Sequence, residues 1–208
     1  MCCRITIISS IDELEEYFHK QIIGSILLPN YNIAPQNKVP ILLPEKENII
    51  TAFWGIKLNN ILNFNTRIET ILEKSLLQKK YIRSVVISSG YFEWAKLNNK
   101  KQPYFINTES KFSLLASLYN AKEETLSIIT KPAFKFIEFI HNRMPLIIRE
   151  ELLNIWLNDD VTFNEFYNTY IKNDEFQLNF RKVSPKVNNV KYNNADIFEF
   201  TDEEITLF

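Results

Sequence analysis

Five strand-like segments follow one another in the middle of the sequence. They cover residues 82–88, 91–97, 103–107, 112–118 and 125–129. Each is rich in the β-branched and aromatic residues that favour strands, and Ser89-Gly90 separates the first two. The helical patterns lie before and after this block instead of alternating with it. The sequence therefore predicts the α+β class with a largely antiparallel sheet.

The flanking segments predict helices and one further strand. Ser10 and Glu13 form the pattern of a capping box, as do Thr162 and Glu165, and each pattern marks the start of a helix. Residues 49–56 are typical of a buried strand closed by Gly55. The four prolines between residues 29 and 46 predict an extended, irregular segment. Helices are expected at about 10–20, 66–80, 132–140, 149–158 and 162–172.

Composition excludes several classes of protein. A chain of 208 residues that is 46% hydrophobic and 24% charged is too apolar to be disordered. No run reaches the roughly 18 apolar residues of a membrane span, and the first residues do not resemble a signal peptide. The two adjacent cysteines, Cys2 and Cys3, cannot form a disulfide framework, which indicates a reducing compartment. We expect a cytoplasmic protein without membrane association, near the nucleoid if the source is bacterial.

Charge is distributed unevenly along the chain. The last fourteen residues, 195–208, form an acidic tail with five carboxylates and no basic residue. Without these five charges the formal net charge changes from -1 to +4. This weak basic balance permits a local nucleic-acid surface, whereas it does not favour a broad coating of DNA.

Cys2 is the most informative candidate for chemistry. If the initiator Met1 is removed, the chain begins with a cysteine, whose α-amine (pKa about 7.7–8.0) lies beside a thiol (pKa about 8.5). Such a pair can condense with an aldehyde to an imine that the thiol closes to a five-membered thiazolidine. The amine can also act as a base for the thiol nucleophile. A small buried residue and fatty acylation of Cys2 and Cys3 are the alternatives.

Three other residues could serve such a nucleophile. Glu93 lies among aromatic residues, where burial disfavours the charged carboxylate; its alternative is a solvated residue at a strand edge. His141 follows an apolar run and is suited to proton transfer, or it simply ends a helix. Asn65 stands at a strand-to-helix junction, where it could be an N-cap. Two cysteines and two histidines are not in zinc spacing, and a phosphate-binding glycine loop is missing, so we expect neither metal nor cofactor.

Several motifs, in this order, resemble the SRAP family (SOS response-associated peptidase, abasic-site processing proteins). The resemblance spans residues 2 to about 190. The matching segments are Met1-Cys2-Cys3-Arg4 (M-C-G-R in the family), Tyr31 to Pro35 (Y-N-x-A-P), Trp54-Gly55, Asn65 to Thr70 (N-A-R-x-E-T), Arg83 to Trp94 (ending G-[FY]-[FY]-E-W), Lys101 to Tyr104, and His141 to Pro145 (H-D-R-M-P).

The resemblance implies a fold and a reaction. The fold would be a single domain over residues 1–208 with a mixed, barrel-like sheet and peripheral helices. The protein would sense abasic sites in single-stranded DNA and crosslink to them through Cys2, shielding the lesion. Asn65 would position the reactants, Glu93 would move protons, and His141 would open the sugar or assist reversal. Removal of Met1 (the peptidase activity) and strand cleavage (a lyase activity) are associated reactions in this family.

The resemblance also implies DNA contacts. Arg4, Arg67 and Arg143 occupy motif positions that resemble those of phosphate-contacting arginines. Arginine suits this role because its guanidinium group hydrogen-bonds well to phosphate oxygens. Trp54 would stack on a base or wedge a duplex end, unless it is a core residue. The expected partner is single-stranded DNA, with junctions to duplex as an open alternative, and the expected state is a monomer.

Two residues depart from the family pattern. Cys3 replaces a glycine and adds a second thiol, and Asn142 replaces an aspartate, so the pKa of His141 should be lower here if that aspartate raises it in the family. Two rival hypotheses follow. A module that binds single strands without chemistry would form no adduct with abasic DNA, and a cysteine-terminal peptidase would turn over a peptide without DNA.

Overall fold

The computed structural model describes residues 3–58, 61–97 and 100–200. The strands in these ranges are β1 (Ile5–Ile7), β2 (Ile22–Ile23), β3 (Asn30–Ile33), β4 (Lys38–Leu42), β5 (Ile49–Trp54), β6 (Ile56–Leu58), β7 (Ile61–Asn63), β8 (Asn65–Arg67), β9 (Ile82–Ser88), β10 (Gly90–Leu97), β11 (Lys100–Asn107), β12 (Ser113–Asn120), β13 (Thr125–Pro132), β14 (Arg143–Pro145), β15 (Ile147–Ile148) and β16 (Asn179–Lys182). The helices are short: α1 (Ile11–Phe18), α2 (Ile68–Glu73), α3 (Ser75–Lys80), α4 (Leu153–Trp156) and α5 (Phe163–Phe166).

The larger sheet closes on itself. Strands β13, β12, β9, β4 and β5 pair in that order through antiparallel ladders. β5 then pairs parallel with β13, where Phe53 lies opposite Thr125 and Trp54 opposite Leu126. The ring surrounds the main hydrophobic core, and the expected barrel-like α+β architecture with peripheral helices is confirmed.

The smaller sheet carries the N-terminal strand. Its order is β16-β11-β10-β1-β3, and all its ladders are antiparallel. One face of it holds a second apolar cluster, in which Phe92 and Phe105 pack against residues of the C-terminal segment, Val183, Val187 and Ile197. Ile197 lies in a 3₁₀ helix over Ala195–Phe198, so the first part of the acidic segment is packed against the protein. Residues 201–208 of that segment lie outside the described residues.

The central strands and the capping boxes follow the sequence prediction closely. β9 has the predicted bounds, and β10, β11 and β13 extend beyond the predicted strands. β12 begins one residue later and ends two residues later than predicted. Ser10 forms both halves of its capping box at the start of α1, and the Thr162 side chain accepts from the Glu165 backbone N–H. These signals are local, which is why the sequence is sufficient to detect them.

The prediction of a helix at 132–140 is wrong. β13 continues to Pro132, and the residues after it form successive turns, in which the N–H of Ile137 bonds to the carbonyl of Phe134 and that of Ile140 to the carbonyl of Ile137. The apolar residues at this position are spaced for packing on the barrel but do not start a helix. Phe134, Ile137 and Ile140 are buried in the main core.

Two further segments differ from expectation. The helix expected at 66–80 begins as strand β8 and then breaks at Lys74 into α2 and α3. The proline-rich segment 29–46 contains β3 and β4 instead of remaining irregular. Pro40 is tolerated in β4 because the pairing with β9 involves only the residues after it, Ile41 and Leu42.

Gly90 allows β10 to begin beside β1 and β11. Its φ of +154° is a conformation that other residues rarely adopt, and an added Cβ would lie 2.6 Å from the Ile106 carbonyl oxygen and 2.5 Å from the Phe105 ring. We predict that Gly90→Ala lowers the free energy of unfolding by about 2–4 kcal/mol, from strain and overpacking together. Urea denaturation measures this, with Lys96→Ala on the exposed part of the same strand as a control within about 0.5 kcal/mol. Equal stability of Gly90→Ala and the control would contradict the prediction.

Candidate active site at the N-terminal strand

The pairing of β1 with β10 brings Cys3, the first described residue, to Glu93. Ile5 lies opposite Tyr91, and the carbonyl of Arg4 accepts from the Phe92 N–H at 2.9 Å. In an antiparallel ladder the next position, Cys3, comes level with Glu93, and the two side chains interact electrostatically. Cys2 is joined to Cys3 by one peptide bond, and it lies outside the described residues.

Glu93 is a buried carboxyl group. Its side chain is 4% exposed, on β10 opposite Tyr104 of β11. Burial raises the pKa of Glu93, so its carboxyl group retains a proton to higher pH than an ordinary glutamate. The predicted effect of the aromatic surroundings is confirmed, and the alternative of a solvated strand-edge residue is wrong. A carboxyl group with a raised pKa is better suited than an ordinary glutamate to give and accept a proton during a reaction.

His141 lies on the short connection between the turns at 134–140 and β14, so it does not end a helix. Its Nδ1 accepts a hydrogen bond from the Arg143 backbone N–H at 3.0 Å. The neutral ring therefore carries its proton on Nε2, which is the nitrogen able to donate. Burial is the main cause that lowers the pKa of His141.

An aromatic contact links the histidine to the glutamate. The ring of Phe139, two residues before His141, meets the ring of Tyr104 edge to face with 5.9 Å between centroids. Tyr104 is the cross-strand neighbour of Glu93. Glu93 and His141 therefore border one region of the surface, although 48 positions separate them in the sequence.

Asn65 and Arg67 lie on the barrel strand that flanks β13 on the side opposite β14. They lie on β8, which runs parallel to β13, with Asn65 beside Ile128 and Arg67 beside Thr130. Asn65 is half-buried and is not an N-cap, because Arg67 holds the cap position of α2 and makes no side-chain cap bond. The N-cap alternative for Asn65 is therefore wrong. Arg67 is exposed.

Arg143 is engaged by the protein itself. Its guanidinium group donates to both carboxylate oxygens of Glu69, at 2.6 and 3.0 Å, and to the Thr130 carbonyl at 2.7 Å. This side chain is only 13% exposed, and its hydrogen bond lowers the pKa of Glu69. The pair fastens β14, and with it His141, to α2 and β13. The arrangement favours a bracing role over a phosphate contact.

Arg4 is also used inside the protein. Its Nη1 donates to Asn32 Oδ1 at 2.7 Å and to the Val187 carbonyl at 2.8 Å, and its guanidinium group lies 5.9 Å from the centre of the Trp94 ring. Arg4 is buried and so anchors the N-terminal strand to β3 and to the C-terminal segment. Asn32, which holds it, lies in the Tyr31–Pro35 motif, but that motif alone does not indicate this partner.

Trp54 is a core residue. It is 0% exposed, and its indole N–H donates to the Phe64 carbonyl at 2.8 Å. No ring face is open to a nucleobase, so the stacking role is wrong and the core alternative is correct. The sequence could not separate the two, because a tryptophan at a strand end suits both positions.

The second thiol, Cys3, is a weak competitor for Cys2. Burial and the nearby Glu93 carboxylate raise the pKa of Cys3, and these effects exceed the opposite influence of Arg4 and Lys101. A thiol with a raised pKa is mostly protonated near neutrality, and the protonated form is a poor nucleophile.

Groups of metal-ligating side chains and membrane-spanning helices are both absent from the described ranges. In residues 3–58, 61–97 and 100–200, His, Cys, Asp and Glu side chains do not gather in groups of three or more that could hold a metal ion. Among the same residues, every helix is too short or too polar to cross a bilayer.

Comparison with known families decides the relationship. The model of the family described as SOS response associated peptidase (SRAP) matches residues 1–190. The chain belongs to the SRAP family. The match covers β1, Glu93 and His141, and so includes the whole candidate site.

Relatives of this SRAP chain are named abasic site processing proteins. YoqW of Bacillus subtilis is 27% identical over 223 residues, covering 96% of this chain and 99% of its own. YedK of Escherichia coli is 26% identical over 186 residues, covering 81% and 83%. YMR114C of Saccharomyces cerevisiae is 29% identical over 171 residues, which are 73% of this chain but only 46% of the yeast protein, so the match spans about half of that relative.

A solved structure shares the fold. A protein from Bacteroides thetaiotaomicron superposes with a TM-score of 0.81 at 22% identity, over 96% of this chain and 100% of that one. The closed ring and the small sheet of this SRAP chain are therefore a recurring architecture.

The raised pKa of Glu93 predicts a pH-dependent stability. The folded carboxyl group binds a proton more tightly than the unfolded one. The contribution of Glu93 to the free energy of unfolding is therefore greatest below the usual glutamate pKa of about 4.3, and it falls as pH rises through the folded pKa. Glu93→Gln should remove this fall and be the more stable protein at pH 8, by about 1.4 kcal/mol for each tenfold difference in proton affinity.

Urea denaturation between pH 4 and pH 8 measures the effect, and Glu109→Gln at an exposed position should follow the wild-type curve. If Glu93→Gln were less stable than the wild type at pH 8, the ionised carboxylate would be stabilised in the fold and the argument from burial would be wrong.

Proposed function

We propose that this protein crosslinks covalently to abasic sites in single-stranded DNA through Cys2, once Met1 has been removed. The observation that supports the proposal is the β1–β10 register, which sets Cys3, the first described residue, beside the buried carboxyl group of Glu93. The names of the relatives, abasic site processing proteins, support the same substrate.

The chemistry requires a terminal amine, a thiol and a proton carrier. The α-amine of Cys2 adds to the C1′ aldehyde of the ring-opened sugar, and loss of one water gives an imine. The thiol sulfur then bonds to C1′ while its proton passes to the nitrogen, closing a thiazolidine. The net change is the joining of the two molecules with loss of one water, and no cofactor takes part.

Glu93 and His141 are suited to the proton transfers. Protonated Glu93 can give its proton to the departing hydroxyl and take one from the thiol, which is general acid–base catalysis worth about 10²- to 10⁴-fold. His141, with its proton on Nε2, can donate to the ring oxygen of the closed sugar and so favour the open aldehyde. Asn65, half-buried on β8, would position the sugar or the terminus.

Two side reactions follow from the same groups. An imine at C1′ acidifies the C2′ protons, so β-elimination can cleave the strand as in a lyase. Removal of Met1 by hydrolysis exposes Cys2 and would be the autopeptidase step. Neither reaction needs residues beyond those already assigned.

The test of the proposal is adduct formation. Wild-type protein should give a band stable to denaturation and thiol reductant with a single-stranded oligonucleotide carrying one abasic site. Cys2→Ser should give none, because an oxygen cannot replace sulfur in a stable thiazolidine. Cys3→Ser is the matched control and should retain the band, since its thiol is held protonated by burial. Loss of the band in Cys3→Ser with retention in Cys2→Ser would reverse the assignment of the nucleophile.

The arginines should separate into two classes. Arg67→Ala should leave the free energy of unfolding within about 0.5 kcal/mol of the wild-type value, because Arg67 is exposed. It should weaken binding to single-stranded DNA, and the slope of log K against log salt should become less steep by about 0.7 for one lost phosphate contact. Arg143→Ala should instead cost about 1–3 kcal/mol of stability, because Glu69 and the Thr130 carbonyl lose their donor. Fluorescence anisotropy over a salt series and urea denaturation give the two readings.

Lys122→Ala provides the control for this comparison. Lys122 is exposed on the turn between β12 and β13, at the far end of β13 from Arg67. It should change neither stability nor the salt slope. A slope unchanged in Arg67→Ala would remove Arg67 from the DNA interface.

A further inference from the structure

Three aromatic rings form an exposed cluster beside Glu93. Phe139 contacts Tyr104 and Phe180 edge to face, with centroids 5.9 and 5.6 Å apart, and Tyr104 lies 6.5 Å from Phe180. Phe139 is 55% exposed and Phe180 is 39% exposed, whereas Tyr104 is 8% exposed and supports them from below. Large apolar rings gathered at one place on a surface indicate a binding function.

The cluster is continuous with the candidate site. Glu93, Tyr104 and Lys182 are successive cross-strand neighbours on β10, β11 and β16, so their side chains share one face of the small sheet. Phe180 precedes Lys182 by two residues and therefore lies on that face too. Phe139 precedes His141 by two residues. A strand of DNA with its abasic sugar at Glu93 would thus place a neighbouring nucleotide over these rings.

The charges around the cluster favour a polyanion over an apolar peptide. In β10, β11 and β16 every charged side chain except the buried Glu93 is positive. Two of these cations, Lys100 and Lys182, lie on the face of the sheet that carries Tyr104 and Phe180, and both are exposed. A surface that combines aromatic faces with lysine side chains is typical of single-strand binding, where bases stack and phosphates meet the cations.

We propose that Phe139 and Phe180, supported by Tyr104, form a stacking subsite for the nucleobase adjacent to the abasic nucleotide. This inference rests on the proposed function, because it takes the abasic sugar to lie at Glu93. The subsite accepts any base, since stacking uses the ring face and not the hydrogen-bonding edge. It gives the protein a hold on an intact base next to a position where the base is missing.

Binding to baseless analogues tests the subsite apart from the crosslink. The probe is a single-stranded oligonucleotide with one tetrahydrofuran residue, which copies the abasic sugar but has no aldehyde. Further probes carry a second tetrahydrofuran on the 5′ or on the 3′ side. Wild-type protein should bind one of these two probes roughly 5- to 150-fold more weakly than the first, the range expected for one stacked base.

Leucine substitutions separate stacking from simple apolar contact. The double variant Phe139→Leu, Phe180→Leu keeps apolar side chains at both exposed positions but has no ring face. It should bind the first probe as weakly as the wild type binds the probe whose second tetrahydrofuran removes the stacked base. Its affinity should not fall further when that second tetrahydrofuran is introduced. Phe139→Trp should retain the wild-type preference. Phe53→Leu is the matched control, because this ring is 43% exposed on β5 beside Thr125, away from the site.

The outcomes distinguish the two proposals. If the double variant keeps the wild-type preference for a neighbouring base, the proposal of a stacking subsite is wrong. The aromatic cluster is then a docking surface for protein. That result would leave adduct formation by the wild type untouched. If the wild type forms no adduct with abasic DNA but loses affinity on removal of the neighbouring base, the crosslinking proposal fails while the subsite stands.

Discussion

The antiparallel pairing of β1 with β10 is the constraint on which the site depends. A chain terminus is usually poorly ordered unless a sheet or a packed partner holds it. Here the Phe92 N–H donates to the Arg4 carbonyl. The Arg4 side chain is fixed by hydrogen bonds to the Asn32 side chain and the Val187 carbonyl. The first described residue, Cys3, is thereby held next to Glu93. The proposed nucleophile is one peptide bond further.

The remaining groups reach the site from separate parts of the barrel, and their positions are linked. β13 carries β8 on one side and β14 on the other, so that Arg67 and Pro145 both lie beside Thr130. Arg143 crosses between them and binds Glu69 and the Thr130 carbonyl, and its backbone N–H orients His141. One arginine therefore positions a histidine through its main chain and braces the framework through its side chain.

The sequence could predict those parts of the fold that local patterns specify. The central strands, the capping boxes and the burial of Glu93 follow from alternation, cap residues and aromatic neighbours, all within a few positions of each other. The turns at 134–140 could not be predicted, because apolar residues at a spacing of three fit a helix and a series of turns equally well. The closing of the ring by β5 and β13 is a pairing over more than 70 positions, and it leaves no local pattern.

The roles of individual site residues show the same division. Motif positions located Arg4, Arg67 and Arg143, but the hydrogen-bond partners that make two of them structural lie far away in the sequence. Trp54 fits either a core or a surface in sequence terms, and only the fold shows that its ring is enclosed. The sequence does not predict the contact between Phe139 and Phe180, since it joins a turn to an edge strand.

Intact-mass spectrometry tests the central claim most directly. The protein is measured alone and after incubation with a single-stranded oligonucleotide that carries one abasic site, followed by peptide mapping of the product. The account predicts loss of Met1 from the purified protein, then a mass gain equal to the oligonucleotide less one water, located on Cys2. A protein that has lost Met1, binds the oligonucleotide and yet shows no mass gain would contradict the crosslinking account.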